Sequence, residues 1–384
     1  DRLVDDLCRR DFTINAMAYN DNRGLVDEFG GIKDLKDGII RCVGDAGQRF
    51  DEDALRMLRA VRFAGQLGFA IEEKTREAIV ERADHLKNIS AERIRVELTK
   101  LLVSKEAGRI RDAYKTGMTK YFLPELDAAM QTEQKNPHHI YTVGEHSICG
   151  IELMNCFFGI TSDKKIYDKI PENVLETAKK LAAKMDKKQQ TVLCMTMLLH
   201  DIAKPAVMTV DEKGIGHFIG HPAQSEKMAK KIMRRLTFDN DSISKACRLI
   251  RFHDYRMEDK SRAFRRAVSK IGADIMDMLF LVEYADVLAQ SDMQRDEKLA
   301  KIDAGVKRFE YIMANAQPLS IKDLAVTGSD LIAAGVKPGP KMGEILKAML
   351  DKVLDEPELN TKDGLLNYLK CEKGNKNVEE NEDL

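Results

Sequence analysis

A chain of 384 residues with 43% hydrophobic content can bury real cores in roughly two to four domains and reads as a soluble globular protein. Its 62 basic and 63 acidic residues nearly cancel, so any nucleic-acid surface must be a local patch. Seven scattered cysteines without a Cys-x-x-Cys pair exclude a disulfide framework and point to a reducing compartment, the cytoplasm; no apolar run approaches a membrane span and no signal peptide is visible.

In chain order, residues 1–47 mix short apolar runs with the turn signals Gly24, Gly30-Gly31 and Asp37-Gly38, as expected of the closing part of an α/β domain. From 48 to 130 the pattern is helical, with amphipathic spacing over Ile71–Ala83, Ser90–Leu102 and Ala107–Thr116, and Ser90 followed by Glu92 and Arg93 marks a helix start. A polar loop at 131–139 opens a unit expected to run to 316, lysine-rich over 162–190 and turning at Asp211–Gly216. Residues 317–371 form a compact C-terminal piece, and 372–384 a solvated, disordered tail.

The stretch Asp51-Glu52-Asp53-Ala54-Leu55-Arg56-Met57-Leu58-Arg59-Ala60-Val61-Arg62-Phe63 consists largely of strong helix formers. Read as one helix at about 100° per residue, it puts Ala54, Leu58 and Val61 on an apolar stripe, and Asp53, Arg56 and Ala60 on another side, with Arg59 and Arg62 continuing a basic ridge. An aspartate acceptor beside an arginine fork matches the edge of a nucleobase; the same spacing also suits an ion pair on a solvated face. Upstream, Arg9-Arg10-Asp11-Phe12-Thr13-Ile14-Asn15-Ala16-Met17-Ala18 offers two guanidinium forks to phosphate and a carboxylate to a ribose hydroxyl, or an ordinary surface ion-pair cluster.

These two strings, with Val26-Asp27-Glu28-Phe29-Gly30-Gly31-Ile32-Lys33-Asp34-Leu35 and Ile40-Arg41 between them, resemble in order and spacing the head and neck of the bacterial tRNA nucleotidyltransferases, the CCA-adding enzymes and their poly(A) polymerase relatives. The resemblance covers nearly all of residues 5–371 and implies a mostly α fold: a truncated nucleotidyltransferase palm as partial α/β head (1–47), a helical neck with a nucleotide-templating helix (48–130), a metal-binding helical body (131–316) and a tRNA-binding tail (317–371). It implies that Arg10 and Asp11, supported by Asn15, contact triphosphate and select ribose. Asp53 and Arg56 would template CTP and ATP, and Arg59 would hold phosphates or the templating side chains. Cytosine and adenine both present an exocyclic amine beside a ring-nitrogen acceptor, whereas uracil and guanine present the wrong pattern. In that family the Mg²⁺ ions for transfer are held by an upstream Asp-x-Asp strand behind a glycine-rich turn. Here Asp5-Asp6 is adjacent and directly precedes the arginines. The chain is therefore expected to lack the first part of the head, to bind nucleotide weakly and to transfer none.

A second pattern is the order His146, His200-Asp201, His221, His253, Asp286. His200-Asp201 ends the apolar run Val192–Leu199, so a buried helix can deliver both to one ion; imidazole with carboxylate suits Mn²⁺, Fe²⁺, Ni²⁺, Zn²⁺ or Mg²⁺. Lys204 is placed to meet a phosphate. The order resembles the HD superfamily of metal-dependent phosphohydrolases, which occurs within many bacterial tRNA nucleotidyltransferases. Mononuclear binding would use His146, His200, Asp201 and Asp286; His221 and His253, if turned inward, would hold a second ion. His85, His138, His139 and His217 have no place in the pattern and read as surface. In the tail, short helices around Lys337-Pro338-Gly339-Pro340-Lys341 suit either a structural cap or contact with phosphate, and the resemblance favours Lys337 and Lys341 as contacts to the tRNA backbone. The expectation is CCA addition to tRNA from CTP and ATP. Its alternatives are a phosphohydrolase centred on the histidines and a tRNA-binding module without catalysis, which would show a steep salt dependence.

Overall fold

The computed structural model describes residues 2–136, 140–161, 163–258 and 260–371. His138, His139 and the tail 372–384 lie outside the described residues. Helices dominate, with three two-stranded sheets among the described residues. The chain divides into two compact units, residues 1–254 with 278–300, and residues 255–277 with 301–384. The first unit runs without a break through positions 47 and 130, because strand Ile39–Ile40 pairs in parallel with Ala70–Ile71 across the first of them.

Near the start, a hairpin of Ala18–Asn20 and Gly24–Val26 leads into helix Gly31–Asp37. A Cβ at Gly31 would stand 2.3 Å from the Thr13 carbonyl oxygen, so only glycine permits this approach. Thr13 Oγ1 then donates to Asp34 Oδ2 at 2.6 Å, fixing the helix to the segment that follows Arg10 and Asp11.

The segment Asp51–Phe63 is not one helix. Helix Ala46–Glu52 stops at Asp53, which is extended at φ −153°, ψ 100°, and a new helix spans Leu55–Leu67. Asp53 Oδ1 accepts from the Leu55 amide at 3.2 Å, so the aspartate competes with helical bonding and opens the second helix instead. The face predicted for a continuous helix is therefore lost. Ala60 is fully buried with Met57, Leu58, Val61 and Ala64, and this side packs on helix Ala91–Leu102, whose Ser90 caps it by accepting from the Arg93 amide.

Arg62 does not extend an exposed ridge either. It is 7% exposed, its Nε donates to Glu97 Oε2 at 2.8 Å, and its guanidinium lies 3.5 Å from the Phe63 ring centroid. Its neighbours Leu58 and Leu98 are fully buried, so the charge survives only because Glu97, itself 4% exposed, compensates it. Arg62→Ala removes the nearer of Glu97's two arginine partners, leaving Arg59 at 3.7 Å, and is expected to cost about 1.5–3 kcal/mol, measured as a shift in the urea midpoint; a loss under 1 kcal/mol would show that the pair is not a structural tie.

The rest of the first unit is a helical body. Helix Lys187–Leu199 starts on a capping box of Asp186 and Gln189 and has every residue from 192 to 199 buried, as its apolar run predicted. Asn155 of helix Val143–Phe157 ties this body to the neck: its amide donates to the carbonyls of Leu102 and Ser104 at 2.9 and 3.1 Å. In the second unit Leu324, Leu331, Met349, Val353 and Leu365 form a core. Here a single turn Ile321–Asp323 and helix Gly328–Ala333 precede a long helix Pro340–Asp355. Its C-terminal end is closed by Arg265, donating to the Leu354 carbonyl at 2.7 Å, and Arg266, bonded to Asp355. No helix of the described residues is long and apolar enough to cross a membrane.

Candidate functional site

The two sequence patterns occupy different parts of the first unit. At the N-terminal one, Asp11 is 7% exposed and receives Arg59 through Nε and Nη2 at 2.8 and 2.7 Å, both on Oδ2. Asn15 Nδ2 donates to the other oxygen at 3.2 Å, so Asp11, Asn15 and Arg59 are one bonded group. Arg10 turns away to the surface and pairs with Asp6 at 2.8 Å.

Asp53 and Arg56 do not pair with each other. Arg56 Nη1 donates to Glu52 Oε2 at 2.8 Å and to the Arg49 carbonyl at 3.1 Å, and its Nη2 donates to the Arg9 carbonyl at 2.8 Å. Asp53 Oδ2 instead takes Arg93 Nη2 at 2.7 Å. Both side chains of the pair are thus held from outside it, Arg56 by Glu52 at i,i+4 spacing and Asp53 by Arg93, which lies forty positions downstream. A cavity of about 510 Å³ opens beside Asp53, lined among others by Asp51, His85, Asn88 and Arg93.

At the second pattern all six residues meet. His146, His200, Asp201 and Asp286 present ligand atoms within 4.8 Å of one another, and so do Asp201, His221 and His253. Asp201 belongs to both groups. Each imidazole is oriented the same way, with Nδ1 against a backbone carbonyl: His146 on Ala289 (3.3 Å), His200 on Met197 (2.8 Å), His221 on Phe218 (2.9 Å) and His253 on Ile250 (2.8 Å). With Nδ1–H donating there, every Nε2 points at the centre, and in a neutral ring it does so with its lone pair. The Nε2 atoms of His146 and His200 are 3.3 Å apart, and those of His221 and His253 3.4 Å. Ligands about 2.0–2.1 Å from a shared ion at tetrahedral angles would stand about 3.3–3.4 Å apart.

Three further observations fit a cation. Asp201 Oδ1 is buried without a hydrogen-bond donor of good geometry, although His221 Nε2 is 3.2 Å and His253 Nε2 3.6 Å away. Burial opposes protonation of His200, yet Asp201 and Asp286 together push its imidazole up to about 10. Both carboxylates, despite burial, are held well below their usual range by the histidines around them, Asp201 also by Lys204. In this charge balance a proton on His200 and the Lys204 ammonium offset two carboxylates, and a divalent ion would take the proton's place.

Lys204 is not free to reach a distant phosphate. It is 5% exposed, its Nζ lies 2.6 Å from Asp201 Oδ2, and it donates to Gln134 Oε1 at 2.9 Å. Neither Gln134 nor Glu283 stood out in the sequence. Burial, with Asp286 and Asp254 nearby, pushes the Glu283 carboxyl well up. His217 is exposed and bonded to Asp211 at 2.9 Å, and His85 lies at the surface 3.5 Å from Asp51. Lys337 and Lys341 are exposed on the second unit.

Three family models match the chain: "Poly A polymerase head domain" over residues 1–41, "Probable RNA and SrmB- binding site of polymerase A" over 68–130, and "tRNA nucleotidyltransferase domain 2 putative" over 209–369. The A-adding tRNA nucleotidyltransferase of Deinococcus radiodurans is 30% identical over 365 residues, covering 91% of this chain and 75% of that enzyme. The chain belongs to the bacterial tRNA nucleotidyltransferase family. The CCA-adding enzyme of Leuconostoc mesenteroides is 48% identical over 122 residues, 32% of this chain and 30% of that relative. The fold is shared with the Bacillus stearothermophilus CCA-adding enzyme crystallised with CTP, at TM-score 0.57 and 24% identity, over 99% of this chain and 76% of that one. Within this tRNA nucleotidyltransferase, Arg10, Asp11 and Asn15 fall in the head match and Arg93 in the second match, whereas His146, His200 and Asp201 lie between the second and third.

Proposed function

We propose that this protein selects CTP and ATP for addition to tRNA 3′ ends, with Asp53 and Arg56 as its base-reading pair. The observation that carries the reading is the local geometry at Asp53. The helix break there puts an aspartate acceptor and an arginine fork at one helix start, and Arg93, Glu52 and two backbone carbonyls hold them in place. Pre-oriented partners reject uracil and guanine because the wrong edge leaves buried donors and acceptors unpaired. Asp11, held by Arg59 and Asn15, serves the ribose, and Arg10 the triphosphate. Nucleotidyl transfer needs Mg²⁺ held by carboxylates, and since Asp11 and Asp53 are committed to arginines the reaction draws on other ligands. Lys337 and Lys341 serve as contacts to the tRNA backbone.

Selection can be tested without turnover, by equilibrium binding of the four nucleoside triphosphates to the chain. CTP and ATP are expected to bind at least about tenfold more tightly than UTP and GTP, a difference of roughly 1.4 kcal/mol. Equal binding of all four would overturn the reading. Binding of ATP with CTP rejected would instead assign the A-adding activity in the name of the Deinococcus relative.

A second reading is carried by the meeting of four imidazoles and two carboxylates in two ligand groups that share the buried Asp201: an HD-type phosphohydrolase centre. His146, His200, Asp201 and Asp286 would hold one divalent ion, and Asp201, His221 and His253 a second. A nitrogen-rich donor set favours Mn²⁺, Fe²⁺, Ni²⁺ or Zn²⁺ over Mg²⁺. Bound there, such ions supply Lewis acidity toward a phosphate ester and lower the pKa of water. The chain itself orients Asp201 through Lys204 and Gln134, and fixes each imidazole through a carbonyl.

A further inference from the structure

Helix His221–Arg235 carries a face that neither centre uses. Its inner side is Ser225, Ala229, Ile232 and Met233, all buried. On the outer side Lys227, Lys230, Lys231 and Arg234 are exposed, and their spacing puts them within roughly 100° of arc on one face. None of the four takes part in an ion pair among the described residues, whereas Arg235 beside them pairs with Glu125 at 2.7 Å. In a chain whose charges sum to −1 overall, this is a local cationic strip.

The two ends of the helix locate it. Its first residue, His221, stands 3.2 Å from Asp201 in the metal-ligand cluster. Just beyond its last turn, the Thr237 carbonyl accepts from Arg95, whose guanidinium lies 5.7 Å from the Phe238 ring centroid. Arg95 belongs to helix Ala91–Leu102, the helix that supplies Arg93 to Asp53. The helix therefore spans about 20 Å at 1.5 Å per residue, from the metal-ligand cluster toward the base-reading segment.

We propose that the outer face of helix His221–Arg235 binds the phosphate backbone of an RNA strand, holding it along the stretch between the two centres. The proposal rests on the reading that this chain acts on tRNA. Lysines and an arginine at successive turns suit a polyanion read by charge alone. The strip has no exposed apolar or aromatic side chain, so a protein partner would find nothing to bury at the heart of an interface.

The test compares the full chain with a Lys227→Gln/Lys231→Gln/Arg234→Gln variant, using tRNA that lacks its 3′ CCA. Affinity is measured from 50 to 200 mM KCl, and thermal melting checks that the variant folds. Each lost phosphate contact removes about 0.7–0.9 from the slope of log affinity against log salt. The variant is expected to bind at least tenfold more weakly at 50 mM, with a slope shallower by about 2–3. Hydrolysis of bis(p-nitrophenyl) phosphate in Mn²⁺ should be unchanged. An unchanged affinity and slope in the variant, with wild type binding tRNA, would overturn the strip alone. Failure of wild type to bind tRNA would overturn the strip and the tRNA reading together. Retained tRNA binding with loss of binding to polyglutamate would assign the strip to an acidic protein and overturn the proposal.

Discussion

Asp201→Ala is expected to remove metal binding altogether, whereas His221→Ala should halve it. Asp201 is the residue shared by the two ligand groups, one oxygen toward each: Oδ2 is 3.3 Å from His200 Nε2, and Oδ1 is 3.2 Å from His221 Nε2. His221 belongs to one group only. With Mn²⁺ or Ni²⁺, calorimetric stoichiometry should fall from about two ions per chain to none detectable in Asp201→Ala and to about one in His221→Ala. Full occupancy in Asp201→Ala would sink the two-group description. The same substitution leaves the buried Lys204 ammonium without its carboxylate, so the metal-free variant should lose about 3–5 kcal/mol of stability. Lys204→Met alongside Asp201→Ala should recover part of that loss without recovering metal, which separates folding from ligation.

The pH dependence of that binding has a definite sign. His200 is raised to about 10 in the metal-free protein, so an ion entering the first group must expel a proton throughout the neutral range. Apparent affinity should rise about tenfold per pH unit from pH 7 to 9 and level off near 10. Conversely, the contribution of protonated His200 to the metal-free fold is complete below about 6.5, its ordinary value, and is lost as pH rises through 10. A flat affinity profile would mean that the ion displaces no proton.

The histidine order was legible in the sequence because its signal is local at the decisive point. An apolar run ending in His200-Asp201 announces a buried helix with polar residues at its tip, and burial of 192–199 follows directly. What the sequence could not convey is what else sits there. Lys204, three residues on, reads as a phosphate contact, yet it is drawn inward by Asp201 and by Gln134, seventy positions away. At the neck the failure was of a different kind. Helix formers on both sides of Asp53 predict continuity, but an aspartate whose carboxylate takes the Leu55 amide ends one helix and starts the next. Arg62, read as part of a basic ridge, follows the buried Leu58 by one turn of the second helix and so turns inward, where Glu97 accepts its guanidinium. The head-and-neck resemblance survives this because it rests on the order of motifs, not on the faces they share.

Arg56→Ala is expected to erase nucleotide discrimination before it endangers the fold. Its guanidinium makes three bonds, to Glu52 and to the carbonyls of Arg49 and Arg9, so truncation loosens the contact between the neck and the segment around Arg9. Such contacts to an arginine are worth about 1.5–3 kcal/mol, enough to lower the melting temperature measurably in a chain of this size without unfolding it. Discrimination stands differently. A well-placed donor and acceptor pair on a base edge is worth about 1–3 kcal/mol, so the preference for CTP and ATP over UTP and GTP should shrink by roughly 5- to 150-fold. Arg56→Lys should restore some stability but little selectivity, because an ammonium lacks the planar fork. Asp53→Asn tests the other half: an amide can present a donor where the carboxylate only accepts, so the ratio of UTP to CTP affinity should rise. Should Arg56→Ala lower the melting temperature while leaving all four affinities in their original ratio, Arg56 would be a structural tie between Glu52 and Arg9, and base reading would have to be sought elsewhere along the cavity beside Arg93.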